Sequence, residues 1–320
     1  MDSEHSIRNP AELGWAYLKA VGAALGEAAA SLGNVEAAKT GQRPEIRRIG
    51  VADLRHALAR GLADFGACRT DVLVLCIIYP LAGLLLARLA FGSDLLALIF
   101  PLASGFALIG PLAAVGLYEM SRRREAGAEV SWADAFSIAR SPAIGAIIAL
   151  GFLLMAIFLL WLAAAYAIFH LTLGPEPPES VEAFARDVLT TGAGWAMIGI
   201  GIGVGFLFAA LVLTISAVSF PLLLDRNVGL YPAMLTSART VAANPGPMAV
   251  WGMIVAGGLV AGSIPALVGL VVVVPVLGHA TWHLYRRVVP REPDQKADIA
   301  GQDQDHSGAV GPAPWIGVGG

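Results

Sequence analysis

Six long apolar stretches occupy the middle of the chain, and they constrain its fold more than any other feature. A helix needs about 20 consecutive apolar residues to cross the hydrocarbon core of a bilayer. Within lipid, a helix satisfies its backbone polar groups through its own hydrogen bonds. The sequence therefore predicts an all-α, polytopic membrane bundle of six transmembrane helices. The predicted spans are 70–91, 95–120, 143–173, 192–224, 248–262 and 264–286.

The proportion of charged residues agrees with lipid as the surrounding solvent. Only 14% of the residues are charged, and 57% are hydrophobic. A soluble domain carries about 25% charged residues. This chain therefore has too few charges to cover a water-facing surface of its size.

The last apolar region, 248–286, is too long for one crossing. As a single helix it would reach about 58 Å, at a rise of about 1.5 Å per residue. Gly262, Ser263 and Pro265 form a turn signal inside it. The prediction therefore places the boundary between spans five and six at this turn, and a re-entrant arrangement is the alternative.

The distribution of arginine predicts the orientation of the spans. Arginines cluster before span one, between spans two and three, between spans four and five, and after span six. Because Lys and Arg accumulate in cytoplasmic loops, these segments and both termini are expected on the cytoplasmic side. An even number of spans agrees with this orientation.

The segments outside the spans divide the chain into three parts. Residues 1–42 are predicted to be an N-terminal cytoplasmic segment with a weak amphipathic helix, and 43–290 form the membrane domain. Residues 291–320 are polar, acidic and rich in Gly and Pro. Such a composition predicts a disordered cytoplasmic tail.

Three short amphipathic segments, 53–65, 131–140 and 231–242, each precede a pair of spans. In the first, the predicted apolar stripe is Leu54, Leu58, Gly61, Leu62 and Phe65, and the opposite, polar face is Asp53, His56, Arg60 and Asp64. In the second, Ser131 and Asp134 match a capping box. Each segment contains an Ala-Arg pair, and each even-numbered span contains a proline. The pattern predicts three divergent repeats of one unit, an interfacial helix followed by a helical hairpin. The repeated residues are the arginines Arg60, Arg140 and Arg239 and the prolines Pro111, Pro221 and Pro275.

The amphipathic segments have two interpretations. In the first, their apolar stripes lie at the lipid headgroups, and Arg60, Arg140 and Arg239 are interfacial anchors that bind anionic lipid. In the second, the segments are solvated connectors between membrane helices. The first interpretation is favoured, since the segments carry apolar stripes beside their arginines.

Three stretches carry a more specific resemblance: RIGVADLR at 48–55, GLYE at 116–119 close to Pro111, and GHATWHLYRR at 278–287. They resemble a family of bacterial integral membrane proteins catalogued as domain-of-unknown-function family 2189. The resemblance covers roughly 45–290. It implies a multi-span fold and an address in the bacterial inner membrane, and it brings no established activity and no active-site residues.

Glycines and prolines within the spans predict helix contacts and kinks. Gly201 and Gly205 form one small-xxx-small pair, and Gly258 and Gly262 form another, so close helix packing is expected at both. Interior prolines remove a backbone hydrogen bond, so Pro111, Pro221 and Pro275 are predicted kinks. Broken helices also form the binding sites of some transporters.

His279 and His283 are the strongest candidates for chemistry. Their spacing of four residues places them on one face of span six. Two histidines could bind a metal or approach a haem, but a closed metal site needs more ligands. The alternative is interhelical hydrogen bonding, with Trp282 and Tyr285 as interfacial anchors. The interpretation favours this alternative and predicts no cofactor.

The sequence predicts a non-enzymatic inner-membrane protein that supports or binds other membrane components. It contains no Walker loop, no nucleophile elbow and no HExxH motif. The expected partners are the lipid bilayer and other membrane proteins, and no nucleic acid is expected. A small-solute permease and a His-dependent metal or haem protein are the two alternatives.

The predicted orientation can be tested with reporter fusions at each end of the chain. A cytoplasmic reporter, active only when it is not translocated, is expected to be active at both ends, because both termini flank arginine-rich segments. A periplasmic reporter should be inactive at both. A cytoplasmic reporter that is active at one end of the chain, together with a periplasmic reporter that is active at the other end, would contradict the even number of spans.

Overall fold

The computed structural model describes residues 44–68, 101–102, 110–112, 114–174, 176, 178, 180–226, 228–265 and 267–291. The predicted N-terminal segment, the first span, most of the second span and the tail after residue 291 lie outside these residues. The regular structure of the described part is helical throughout.

The helices of the described residues are named in chain order. They are α1 (Val51–Ala67), α2 (Val115–Glu125), a 3₁₀ helix (Trp132–Arg140), α3 (Ile144–Thr172), α4 (Val181–Thr190), α5 (Gly192–Ser216), α6 (Ser219–Asp225), α7 (Leu230–Ala243), α8 (Pro245–Ser263) and α9 (Leu270–Val288).

Three candidate membrane spans occur in the described residues: α3, the α5–α6 unit at Gly192–Asp225, and α8. They coincide with predicted spans three, four and five. The predicted count of six is corrected to three for the described part of the chain. Predicted span six is the helix α9, which begins only at Leu270 and lacks the apolar character of the other three. Its C-terminal half carries polar side chains that pack against α1 and α2 instead of lipid.

Pro221 coincides with a break in the fourth span. The helix is interrupted at Ala217 and Val218, between α5 and α6. A proline cannot donate to the carbonyl four residues earlier, and its ring crowds that carbonyl. The hydroxyl of Ser237 on α7 accepts a hydrogen bond from the Val218 amide at 3.2 Å. The neighbouring helix therefore satisfies a backbone group at the break.

The α1–α9 pair is the most extensive contact between described helices. Gly61 permits it, because a Cβ at this position would lie 2.6 Å from the backbone nitrogen of Ala280. The face of α1 that is buried there consists of Leu54, Ala57, Gly61 and Asp64. The predicted apolar stripe included Leu62, which is 57% exposed. The stripe is therefore rotated from the prediction, since the small residues determine the contact with α9.

The start of the 3₁₀ helix has the capping geometry that its sequence predicts. The backbone amide of Ser131 donates to Oδ2 of Asp134 at 2.9 Å, and the two residues form a reciprocal capping box. This backbone hydrogen bond holds the pKa of Asp134 below its ordinary value. The side chain of Asp134 also pairs with Arg123, at 2.7 Å from Oδ1 to Nη1, so the cap is attached to α2.

The predicted packing glycines differ in their surroundings. A Cβ at Gly205 would lie 3.1 Å from the ring of Trp161 on α3, whereas one at Gly201 would meet no atom within 4 Å among the described residues. Cβ atoms at Gly258 and Gly262 would lie 3.3 Å and 3.0 Å from side chains of α9. The contacts of Gly205, Gly258 and Gly262 thus lie between neighbouring helices.

Two glycines of α1 provide a matched test of the α1–α9 contact. Gly61→Ala is expected to lower the free energy of unfolding by about 1–3 kcal/mol, because the new methyl overlaps the backbone of α9. A Cβ at Gly66 meets nothing within 4 Å. Gly66→Ala should therefore be neutral or stabilising by up to about 1 kcal/mol. Thermal unfolding in detergent measures both, and equal melting temperatures would refute the close contact.

Candidate functional site

A cluster of buried polar side chains lies where α1, α2 and α9 meet. Asp64 is 5% exposed, Ser121 is 1% exposed, and His279 and His283 are 0% and 7% exposed. These four residues and Arg124, whose guanidinium lies beside them, are called the Asp64 cluster. Polar groups with so little access to water find most of their hydrogen-bond partners within the protein.

The local structure explains how these residues meet. Asp64 lies on the face of α1 that also carries Ala57 and Gly61, so the close approach to α9 brings its carboxylate to the histidines. His279 and His283 are one turn apart on the same face of α9, where the first contacts Ser121 and the second contacts Asp64. Ser121 lies near the C-terminal end of α2, which packs against α9.

The hydrogen bonds form a continuous chain through the Asp64 cluster. The Ser121 hydroxyl donates to Oδ2 of Asp64 at 2.8 Å, and its oxygen lies 2.7 Å from Nδ1 of His279. Because the hydroxyl has only one proton, Nδ1 of His279 must be the donor to Ser121. Nε2 of His283 lies 2.7 Å from the same carboxylate oxygen. The chain therefore runs from His279 through Ser121 to Asp64, where His283 also binds.

Asp64 is the counter-ion of this cluster. Burial alone would raise the pKa of its carboxyl, but the hydrogen bonds from His283 and Ser121 outweigh burial and hold the pKa below its ordinary value of 3.8. Nη1 of Arg124 lies 3.4 Å from Oδ1 and also donates to the carbonyl of Ala63 at 2.9 Å. The carboxylate is therefore ionised and balanced by cationic and donor groups from two other helices.

A second cluster joins α9 to α2 and α6. Arg286 binds both carboxylate oxygens of Asp225 at 2.7 Å, and its Nε donates to Glu125 at 2.9 Å. The Tyr285 hydroxyl donates to Asp225 at 2.6 Å, and the Trp282 indole donates to Glu125 at 3.0 Å. A bidentate arginine–carboxylate pair fixes orientation as well as charge, so this cluster positions α9.

Trp282 and Tyr285 are therefore not headgroup anchors. Both are 0% exposed, and their polar atoms bind carboxylates of other helices. The sequence interpretation placed them at the lipid interface because aromatic residues with a polar tip accumulate there. The same amphipathic character suits a buried aromatic side chain that has a protein partner.

A third carboxylate, Glu119, is neutralised within the protein. It is 1% exposed, and it accepts hydrogen bonds at 2.7 Å from Nε of Arg122 and Nε of Arg123. These arginines lie one helical turn away on α2, as their spacing predicts.

The geometry of the histidines favours hydrogen bonding over metal binding. Nδ1 of His279 and Nε2 of His283 both contact protein groups, and the side chains of Ser121 and Asp64 lie between them. Nε2 of His279 is buried without a hydrogen-bond partner in the described part of the chain. No group of three or more potential metal ligands occurs among the residues that the structure describes.

The family comparison gives a match to the central part of the chain. Residues 99–225 match the model described as "Predicted integral membrane protein (DUF2189)". This part of the chain is similar to that family. The resemblance drawn from the sequence is thereby confirmed, over a narrower range than roughly 45–290. Comparisons with curated proteins and with solved structures gave no match.

The DUF2189 region contributes only part of the candidate site. Ser121 and the acidic residues Glu125 and Asp225 lie inside the matched range, whereas Asp64 and the two histidines lie outside it. Both clusters therefore bind α9, which follows the DUF2189 region in the chain, to helices within that region.

The remaining predicted residues lie elsewhere. Arg60, Arg140 and Arg239 are exposed on α1, the 3₁₀ helix and α7. Pro275 lies inside α9 and is buried, and Pro111 is half-buried. None of these residues contributes a side-chain hydrogen bond to the Asp64 cluster.

Asp64 was missed because α1 was interpreted as an amphipathic helix with its charges facing outward. The available signal was the spacing of Leu54, Ala57, Gly61 and Asp64, at three or four residues throughout. Small residues with this spacing indicate a close helix contact. A carboxylate on such a face points to a buried polar partner.

We expect Asp64→Asn to lower the free energy of unfolding by about 3 kcal/mol, since it leaves Arg124 and the histidines without their shared counter-ion. Thermal unfolding in detergent at pH 7 is the measurement. Glu182→Gln, at an exposed position of α4, is the control and should change stability by less than about 0.5 kcal/mol. Equal effects of the two variants would contradict a structural role for the carboxylate.

The difference in stability between wild type and Asp64→Asn is expected to depend on pH. A carboxyl with a lower pKa in the folded state binds fewer protons when folded, so its stabilising contribution is complete above the ordinary pKa of 3.8. The contribution disappears as the pH falls through the lowered folded value. The stability difference between wild type and Asp64→Asn should therefore shrink below about pH 4, and a constant difference would contradict the ionised state of Asp64.

Proposed function

We propose that this integral membrane protein is a non-enzymatic support or binding protein of the bacterial inner membrane, whose cytoplasmic face binds anionic lipid headgroups. The observation that carries the proposal is the separation of charges at one end of the spans. At that end, carboxylate side chains are buried within the protein, whereas arginine side chains are exposed.

The elements that carry these arginines lie at the same end of the bundle. The 3₁₀ helix directly precedes α3, α7 connects α6 to α8, and α1 packs along α9, whose last turn lies at this end. Antiparallel spans place the beginning of one helix beside the end of the next. The exposed arginines of these elements therefore form one surface, called the arginine face.

The arginine face has an excess of positive charge. Its exposed acidic residues in the described chain are Glu45 and Glu129. Asp64, Glu119 and Asp225 have side chains that are 6%, 2% and 2% exposed, so their charges are neutralised inside the protein. Among the residues that the structure describes, the exposed basic residues of this face are Arg47, Arg48, Arg55, Arg60, Arg140, Arg239 and Arg287.

Such a surface suits the cytoplasmic leaflet, whose anionic lipids attract basic segments near the membrane. Exposed apolar side chains on the elements of this face, Val51 and Leu62 on α1 and Tyr231 on α7, add apolar contact with the headgroup region. The two carboxylate clusters hold α1, α2, α6 and α9 together. The Arg123–Asp134 pair attaches the 3₁₀ helix to α2, and the Ser237 hydroxyl attaches α7 to the backbone at the start of α6. The arginines are therefore presented by elements that are attached to one another. This arrangement suits a protein that binds lipid and supports other membrane components, a function that requires no catalysis.

Exchange of three arginines tests the proposal. Nanodiscs of phosphatidylcholine, with and without phosphatidylglycerol, contain either wild type or Arg60→Gln/Arg140→Gln/Arg239→Gln. Each basic side chain near an anionic surface contributes about 1 kcal/mol, so the triple variant should bind phosphatidylglycerol roughly 100-fold more weakly. It should also lose the increase in melting temperature that this lipid gives wild type.

The control is Arg186→Gln, which removes an exposed arginine from α4, between the opposite ends of α3 and α5. This control should retain the lipid effect, and added salt should weaken the effect in wild type. A triple variant that responds to phosphatidylglycerol as wild type does would refute the proposal.

The permease and the metal or haem protein predict different results for the purified protein. A permease should transport a solute in proteoliposomes, with transport reduced by substitutions at Pro111, Pro221 or Pro275. A metal or haem protein should contain a stoichiometric metal or show Soret absorbance, and His279→Ala should remove that signal. Either positive result would contradict the proposed support function and favour the corresponding alternative.

A further inference from the structure

The connection between α3 and α5 contains a helix whose surface is divided sharply between apolar and polar residues. This helix, α4, has no buried residue. At about 100° per residue, one half of its circumference carries Val181, Phe184, Ala185, Val188 and Leu189. The other half carries Glu182, Ala183, Arg186, Asp187 and Thr190.

The protein covers only one edge of the apolar half. Phe184 and Val188 are half-buried, and the ring centroid of Phe184 lies 6.2 Å from that of Phe169 on α3. The second edge consists of Val181, Ala185 and Leu189, which are all exposed. These three residues, at intervals of four, are called the apolar edge.

The junction with α5 fixes the position of α4. A Cβ at Gly194 would lie 2.3 Å from the carbonyl oxygen of Val188, so only glycine allows the two helices to meet this closely. The Thr191 hydroxyl accepts a hydrogen bond from the Gly194 amide at 2.9 Å and donates to the carbonyl of Asp187 at 2.7 Å. The turn is therefore held at both helix ends.

This position is at the surface of the bilayer. The 29 residues of α3 span about 43 Å, whereas the hydrocarbon core is about 30 Å thick. The ends of α3 therefore extend into the headgroup region, and α4 is attached at the end opposite to the arginine face.

The apolar edge is continuous with the apolar surface of the spans. Leu171, at the end of α3, is 86% exposed, and Trp195, at the start of α5, is 60% exposed. The indole nitrogen of Trp195 donates to the carbonyl of Leu189 at 3.1 Å. Tryptophan at the end of a span is typical of the membrane–water interface, so Trp195 marks the level at which Leu189 lies.

We infer that α4 is a membrane-surface helix, whose Val181–Ala185–Leu189 edge inserts into the boundary between headgroups and acyl chains in the leaflet opposite to the arginine face. Glu182, Arg186 and Thr190 form the adjacent row and face water. The exposed side chains of α4 include a single arginine beside Glu182 and Asp187. The binding is therefore apolar, unlike the electrostatic binding proposed for the arginine face.

Spin labels at six positions test this inference in nanodiscs. The background replaces both cysteines, Cys68 and Cys76, by alanine. Single cysteines at 181, 185 and 189 should give several-fold higher ratios of oxygen to nickel-chelate accessibility than those at 182, 186 and 190. The reason is that oxygen concentrates in acyl chains and the chelate concentrates in water. The exposed positions allow labelling without disturbing the core.

Three results would overturn the inference. Equal accessibility of both rows to the nickel chelate would place α4 in water. Exclusion of both reagents from the apolar edge would show that protein covers it. Dipolar broadening between labels at position 189, at two copies per nanodisc, would identify a second copy as the partner. None of these results depends on the arginine face, so the two proposals fail separately.

Discussion

The close approach of α1 to α9 is the constraint on which the polar interior depends. A glycine at position 61 lets the backbone of α9 come within van der Waals contact of α1 at Ala280. At that separation the short side chain of Asp64 reaches His283 on α9, and it also accepts a hydrogen bond from Ser121 on α2. The smallest residue of α1 thus determines where a buried carboxylate finds its partners. The cost of burying this charge is offset by hydrogen bonds from two helices.

The same principle extends through the end of the bundle that carries the arginine face. Asp64, Glu119 and Asp225 are each neutralised by groups of neighbouring turns or helices, and each is nearly inaccessible to water. Charged groups in such surroundings remain ionised only when paired. Their burial leaves the exposed arginines with few acidic neighbours. Internal ion pairing therefore produces the basic surface that is proposed to meet anionic lipid.

Several elements were predictable because their signals are local. The spans at α3, α5–α6 and α8 follow from apolar length, and the capping box of Ser131 and Asp134 follows from four consecutive residues. The Pro221 break follows from a missing backbone donor. Other features depend on partners distant in sequence. The hydropathy of α9 resembles that of a membrane span only in its first half, because its second half is matched to the polar groups of α1, α2 and α6.

The sequence by itself determined that lipid surrounds this chain, which segments are long enough to cross it, and where arginine accumulates. These properties depend on composition and on the thickness of a bilayer. Only the tertiary structure decided which polar side chains are interior. Asp64 and Leu62 are two residues apart on one helix, yet the first is buried and the second exposed. Periodicity defines the faces of a helix, but the face that is buried is selected by the neighbour that packs most closely against it.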